Sequence, residues 1–317
     1  MQRLVACLLA LGASVAAAEG WPERPVRIVV PAPAASSLDV VARTLAEKLK
    51  DAWKQPVVVE NKAGAGGMLG VDVAAKAAPD GHTLALGFNG PIAFGPRLYT
   101  RMPYDPARDL APIVLATSQP NVLAVPAAVP AASLAEFVAW ARKQRAVSYA
   151  SVGNGSSSHL TMELLKIAAG FDAVHVPYAG SPPAAASLVA GETQALFAVA
   201  PALLPLVQAG RIKLLAVTSA ERVPQLADLP TVTEQGYPGF EALAWNGLFT
   251  AAATPGAIVE RINADVNRVL QLPDVRDAFA RQGLIAGGGS AARFKTMIDN
   301  DAAKWGAIID TLGIKLE

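Results

Sequence analysis

Short aliphatic, largely β-branched runs separated by amphipathic stretches of helical period constrain this chain more than any other feature. Val26-Arg27-Ile28-Val29-Val30, Val57-Val58-Val59 and Thr83-Leu84-Ala85-Leu86 are strand-length segments, and between them lie Leu38 to Trp53 and Val71 to Ala77. In the first of these stretches Leu38, Val41, Leu45 and Leu49 fall on one stripe while Arg43, Glu47, Lys50 and Lys54 lie elsewhere, the pattern of an amphipathic helix. A helix after each strand brings the chain back to start a parallel neighbour, so the expected class is α/β with a parallel sheet.

Pro- and Gly-rich punctuation from Pro91 to Pro112 precedes Asn121-Val122-Leu123-Ala124-Val125, where a second alternating series begins. It reads as helix over Leu134 to Arg145, strand over Val147 to Val152, helix over His159 to Ala169, strand over Ala173 to Val176, helix over Pro183 to Ala190 and strand over Ala195 to Val199. Ile212 to Thr218 carries the chain back. Ile258 to Leu270, Val275 to Gln282 and Ala291 to Leu312 then supply three helices with stripe positions such as Ile262, Val266, Phe294 and Trp305, expected to pack on the first unit. A length of 317 residues suits two cores better than one. The expected division is residues 19–122 with 219–317 as domain 1 and residues 123–218 as domain 2. No repeat of 20 to 50 residues recurs, which excludes solenoids and propellers.

Residues 1–18 read as a cleaved export signal: Arg3 supplies the positive start, Leu4 to Ala13 the apolar run, and Ala16-Ala17-Ala18 the cleavage site. The expected location is therefore the periplasm. Cys7, the single cysteine, lies inside that apolar run rather than at the cleavage point, so neither a lipid anchor nor a disulfide, thiolate metal site or Cys nucleophile is expected. Every other apolar run is interrupted before it reaches the roughly 18 to 20 residues of a membrane span. With 27 Lys+Arg against 26 Asp+Glu there is no basic surplus to neutralise phosphates, so no nucleic-acid partner is expected.

The hydrolase elbow G-x-S-x-G, the phosphate loop G-x-x-x-x-G-K-[ST] and the metalloprotease H-E-x-x-H are all missing. Ser156, Ser157 and Ser158 stand beside His159, which leaves a secreted hydrolase using Ser156 or Ser157 as the alternative, although adjacent residues rarely reach nucleophile-base geometry. His159 and Glu163, four apart on a helix, offer only two metal ligands. Gly64-Ala65-Gly66-Gly67-Met68-Leu69-Gly70 imitates a dinucleotide fingerprint with the wrong spacing, and reads as a tight strand-to-helix turn, part of the scaffold.

Two other loops are more informative. Pro31 to Asp39 and Ser151 to His159 each join a strand to a helix N-terminus, one in each half of the chain. Unpaired N–H groups and the positive end of the helix dipole make such termini carriers of carboxylates without any Arg or Lys, so no basic side chain is expected in contact with either loop. Ser36, Ser37, Asp39 and Ser156 to Ser158 also suit helix capping, and the two roles are compatible.

At these loops the chain resembles the substrate-binding proteins of tripartite tricarboxylate transporters, the TctC or Bug family. The likeness runs from Trp21-Pro22 to Lys315 and includes Val58-Val59-Glu60-Asn61-Lys62, Ala78-Pro79-Asp80-Gly81-His82-Thr83-Leu84, Met102-Pro103-Tyr104-Asp105-Pro106, Val176-Pro177-Tyr178-Ala179-Gly180 and Leu229-Pro230-Thr231-Val232. The resemblance implies a two-domain periplasmic-binding-protein fold, type II-like, with a ligand cleft between the domains. It further implies a small carboxylated solute, membrane permease subunits as partners, a monomer, no cofactor and no catalysis. A sensory partner of a histidine kinase is a third reading. Carried over, the ligand-binding set is Ala35, Ser36, Ser37, Leu38 and Asp39 in the first loop, Asn154, Ser156 and Ser157 in the second, then Tyr178, Gly180, Ser181 and Ala198, with Asn89 bordering the first pocket. Where the family commonly has Phe, a Gly-Gly pair and Thr, this chain has Ala32, Ala35-Ser36 and Leu38, and Gln194 and Ala198 stand where the family commonly has acids. These departures favour an uncharged, apolar-bodied acid over an amino acid.

Overall fold

The computed structural model describes residues 20–317, so the expected export signal over residues 1–18, with Cys7, lies outside the described residues. The first lobe starts with β1 (Val26–Val30), α1 (Ser37–Trp53), β2 (Val57–Asn61), α2 (Met68–Ala75), β3 (Thr83–Phe88) and β4 (Leu110–Pro120). The second contains β5 (Val122–Pro126), α3 (Leu134–Ala141), β6 (Ser148–Ser151), α4 (Ser157–Ala169), β7 (Val174–Pro177), α5 (Ser181–Ala190), β8 (Ala195–Ala198), α6 (Ala200–Gln208) and β9 (Ile212–Val217). The chain then returns through β10 (Leu243–Ala251), α7 (Gly256–Leu270), α8 (Pro273–Arg281), β11 (Ile285–Ala286) and α9 (Ala291–Leu312).

Each lobe is built on one sheet, ordered β11-β4-β10-β3-β1-β2 and β7-β6-β8-β5-β9. β1 runs parallel to β2 and β3, and β6 parallel to β7 and β8. The strands that enter from the other lobe, β10 and β5, lie antiparallel to β3 and β8. The helical stripe explains the packing of α1: Val41, Leu45 and Leu49 are fully buried against the first sheet, and Trp53 donates its indole N–H to the buried Asp265 of α7 at 2.8 Å. α7 buries Ile262, Val266 and Leu270, and α9 buries Phe294, Trp305 and Ile309, so the C-terminal helices cover the first sheet as their sequence pattern requires.

The two crossings, at Asn121 and Ala242, are bonded to one another through Thr218. Asn121, between β4 and β5, donates its N–H to Thr218 Oγ1 at 2.8 Å and accepts the Thr218 N–H at 3.0 Å. Thr218 Oγ1 in turn donates to the Ala242 carbonyl at 2.5 Å, and the Ala242 N–H donates to the Thr218 carbonyl at 2.9 Å. Residues 219–242, expected with the first domain, instead lie along the second sheet. Val217 N–H donates to Pro230 O at 3.0 Å, Val232 N–H to Val217 O at 2.9 Å, and Gln235 bridges the Leu215 carbonyl and the Leu134 amide. The physical reason is that β9 is an edge strand, whose open backbone groups this segment covers.

Candidate functional site

The two loops lie at the C-terminal ends of parallel strands, before α1 and α4, where open α/β sheets place their ligands. They share one hydrogen-bond scheme. Ser36 and Ser156 cap their helices by accepting the N–H of the residue three positions on, Asp39 at 3.3 Å and His159 at 3.2 Å. The side chains of those residues reach back to the amide before the cap: Asp39 Oδ2 accepts from Ala35 N–H at 2.9 Å and His159 Nδ1 from Gly155 N–H at 3.2 Å. Ser36 N–H donates to Pro33 O and Ser156 N–H to Gly153 O, and the residue before each cap is left-handed, with φ 63° at Ala35 and 67° at Gly155. The scheme is a variant of the capping box, shifted one residue outward. Among the described residues it leaves the N–H groups of Ser37, Leu38, Ser157 and Ser158 with no protein acceptor, two at each helix start.

Asp39, a candidate contact, spends both oxygens on its own loop, since Oδ1 accepts from Asn61 Nδ2 at 3.0 Å and Oδ2 also accepts from Arg43 Nε at 2.9 Å. Burial acts to raise its pKa, but bonds from Arg43, the Ala35 amide and Asn61 outweigh burial and hold the carboxyl below its ordinary value. Arg43 corrects the expectation that no basic side chain would touch either loop: an acid as buried as Asp39 requires a countercharge. Asn61, which sequence reading left without a role, also donates to Ala32 O at 3.1 Å and so ties the end of β2 to the first loop.

In the second loop Ser156 Oγ donates to Gly153 O at 2.6 Å, Ser157 Oγ accepts from the crossing residue Asn121 at 2.7 Å, and Ser158 Oγ donates to Phe197 O. Neither Ser156 nor Ser157 meets the His159 ring, whose Nδ1 is taken by Gly155, so the nucleophile-base pair of the hydrolase alternative does not form. A Ser–His pair does occur between Ser151 Oγ and His175 Nε2 at 2.6 Å, with Ser151 fully buried beneath the loop. Glu163 accepts from the Tyr149 hydroxyl and from Lys166 Nζ at 2.9 Å rather than joining His159. No cluster of three His, Cys, Asp or Glu that could hold a metal occurs among the described residues.

The second loop meets the first lobe across the cleft. A methyl added at Gly90 would stand 3.4 Å from the Gly155 carbonyl oxygen, and one at Gly155 would stand 2.7 Å from Leu98 Cδ1. The glycine turn reads correctly as a strand-to-helix turn, with φ positive at Gly64, Ala65, Gly66 and Gly67 in succession. It also lies opposite the second loop, where a methyl on Gly66 would come within 4.0 Å of Asn154 O, a position the scaffold reading did not anticipate.

Asn154 is exposed at the loop tip, and Gly180, at φ 106°, starts α5 at Ser181. Ala198 is buried at the end of β8. Tyr178 turns its hydroxyl toward Glu192 at 3.5 Å, beyond the C-terminus of α5, while its carbonyl lies beside Gly153. Asn89 is 1% exposed and its amide is fully engaged: Nδ2 donates to Leu243 O and Asp301 Oδ2, and Oδ1 accepts from Trp245 N–H. It therefore braces the floor of the first lobe, and the backbone of its neighbour Gly90 is what approaches the second loop.

Two α/β lobes with these sheet orders, bonded crossings and matching strand-to-helix loops at the interface define a two-lobed solute-binding receptor of the periplasmic-binding type. The model of the tripartite tricarboxylate transporter family receptor, TctC, matches residues 41–314, and the chain belongs to that family. It is 34% identical to Protein BugT of Bordetella pertussis over 307 residues, 96% of this chain and 94% of that protein. Among solved structures, R. palustris Rpa4515 with adipate superposes with a TM-score of 0.87 at 34% identity, covering 93% of this chain and all of that one. MatC (Rpa3494) from Rhodopseudomonas palustris with bound malate gives 0.83 at 31% identity, covering 91% and 100%. The family is one of receptors, not enzymes.

Proposed function

We propose that the protein captures a small carboxylate-bearing solute in the periplasm, between the Ala35–Asp39 and Asn154–Ser157 loops, and delivers it to the membrane permease subunits of a tripartite tricarboxylate-type transporter. The observation that carries this reading is the pair of identically capped helix N-termini, each with two N–H groups free to meet a carboxylate. The relatives with adipate and malate support the ligand class. Export by a cleaved leader over residues 1–18, action as a monomer and closure of the lobes about the crossings near residues 121 and 242 belong to the same reading.

The acid in the first loop, Asp39, is buried and paired with Arg43, and Ala198 offers no charge, so an ammonium group finds no partner among the candidate contacts. The solute is then an apolar-bodied acid rather than an amino acid. A thermal-shift screen with adipate, malate, benzoate and glutamate tests this, because a ligand bound by the native state raises the melting temperature. Stabilisation by at least one of the first three and none by glutamate is expected; no shift with any carboxylate would overturn the proposal. In Ser156→Asp the new charge stands where a solute carboxylate binds, so the ligand-induced shift disappears, whereas an acid at a helix start is itself favourable by roughly 0.3–1 kcal/mol.

A further inference from the structure

Beneath the second loop lies a set of buried side chains that capture of a solute does not by itself call for. His159, from the first turn of α4, stacks on His175 of β7 with centroids 3.8 Å apart and planes 7° from parallel. Tyr149 of β6 stacks with His175 at 5.0 Å. An amide N–H can only donate, so the bond from Gly155 to His159 Nδ1 requires that nitrogen to be unprotonated, with the neutral ring carrying its proton on Nε2. His175 acts through Ser151, whose hydroxyl lies 2.6 Å from His175 Nε2, donates to Gly153 O at 3.1 Å and accepts the Gly153 N–H at 3.2 Å. The two rings thereby hold both left-handed glycines of the loop, at φ 136° and 67°.

The charged groups around the rings are Glu163 and Lys166, both on α4 and paired with each other at 2.9 Å, with the Tyr149 hydroxyl donating to Glu163. The first lobe presents Leu98, Tyr99 and Leu316 to Gly155. Burial, then the neighbouring His175 and Lys166, push His159 down to about 3. Burial and Lys166, opposed by Glu163, push His175 down to about 4. Both rings are therefore neutral near pH 7. In the first loop the same back-bond is made by a carboxylate, Asp39, neutralised by Arg43. His159 has no such guanidinium beside it, and a neutral acceptor adds no negative charge next to a bound anion.

We infer that His159, backed by His175, is the positioning residue of the second solute-binding loop: its unprotonated Nδ1 fixes the Gly155 amide and so keeps the free N–H groups of Ser157 and Ser158 presented to the solute. The last step rests on the capture of a carboxylate proposed above. His159→Phe keeps a stacking ring but removes the acceptor, and His159→Asn restores an acceptor near the Nδ1 position but removes the stack. In the solute-free protein, NMR hydrogen exchange at the Gly155 amide is expected to be slow in the wild type, faster by at least about tenfold in the Phe variant and near wild type in the Asn variant. Calorimetry with adipate and malate as probes is expected to show affinity falling about tenfold or more in the Phe variant and returning to within about threefold in the Asn variant. Unchanged Gly155 exchange in the Phe variant, or an Asn variant as impaired as Phe, overturns the inference. Should the Phe variant fail to fold, the wild type decides: a long-range proton–nitrogen spectrum showing His159 protonated at Nδ1 at pH 7 is incompatible with the geometry. If the wild type bound neither acid while the exchange and ring-nitrogen results held, the capture proposal would fail for these acids and the positioning of the loop would stand.

Discussion

At the scale of single residues the two loops differ most at the position before the cap. Gly155 takes φ 67° without cost, whereas Ala35 carries a Cβ at φ 63°, a conformation that disfavours L-residues by roughly 1–2 kcal/mol. Ala35→Gly is therefore expected to stabilise the protein by about 0.5–1 kcal/mol after the larger chain entropy of glycine is deducted, read as a small rise in melting temperature. Ala35, standing where the family commonly has glycine, thus carries backbone strain confined to one residue. Asn89 teaches the opposite lesson. Its place just after β3 was readable, but its burial under Trp245 and Asp301 depends on helix α9, more than 200 residues further along the chain, and no local pattern reports that contact.

At the scale of elements the helices were legible because their stripes are one-sided: Val41, Leu45 and Leu49 had to face a core, and they do. Strand order was not, since nothing local tells β10 to insert between β3 and β4. The course of residues 219–242 was hidden for a related reason: the segment follows a neighbour's open edge rather than a hydrophobic period of its own. The caps were legible as Ser-Ser-Leu-Asp and Ser-Ser-Ser-His, but the back-bonds from Asp39 and His159 to the preceding amides were not. Removing one cap should show how far each loop depends on it. Ser156→Ala deletes an N-cap and one of the bonds to Gly153 O, and is expected to cost about 1 kcal/mol while hydrogen exchange quickens in residues 153–159 and stays unchanged in the loop at residues 33–39.

At the scale of the whole molecule, acid should weaken the fold in a window set by the buried rings. His159 and His175 titrate at about 3 and about 4 when folded, below the ordinary 6.5, so the unfolded chain binds more protons between those values and stability rises with pH there. Read downward, that stabilisation is complete above 6.5 and is lost as pH falls toward 4, at up to about 1.4 kcal/mol per pH unit for each ring. Asp39, held below 3.8, loses its contribution at lower pH still, and Asp301, pushed up by burial against bonds from Trp245, Asn89 and Trp305, acts in the opposite sense. Denaturant titrations at pH 7 and pH 5 should show the fall, and a stability independent of pH over that range would contradict neutral buried rings. Thr218→Val probes the other global feature, the bonded crossings, by leaving the Asn121 N–H and the Ala242 carbonyl without their hydroxyl partner, at about 1–3 kcal/mol for each group left unsatisfied. Lowered stability without a change in the isolated sheets' secondary structure, read by denaturant midpoint and circular dichroism, is the expected result. The same pinning has a mechanical consequence. Asn121 and Ala242, both bonded to Thr218, resist sliding past one another, so the closure proposed above would proceed as a swivel about them. Under that proposal the measured affinity would be the intrinsic one scaled by the fraction of molecules in the binding-competent arrangement. Variation at Thr218 or Ala242 would then tune how avidly the receptor scavenges without replacing any residue of the two solute loops.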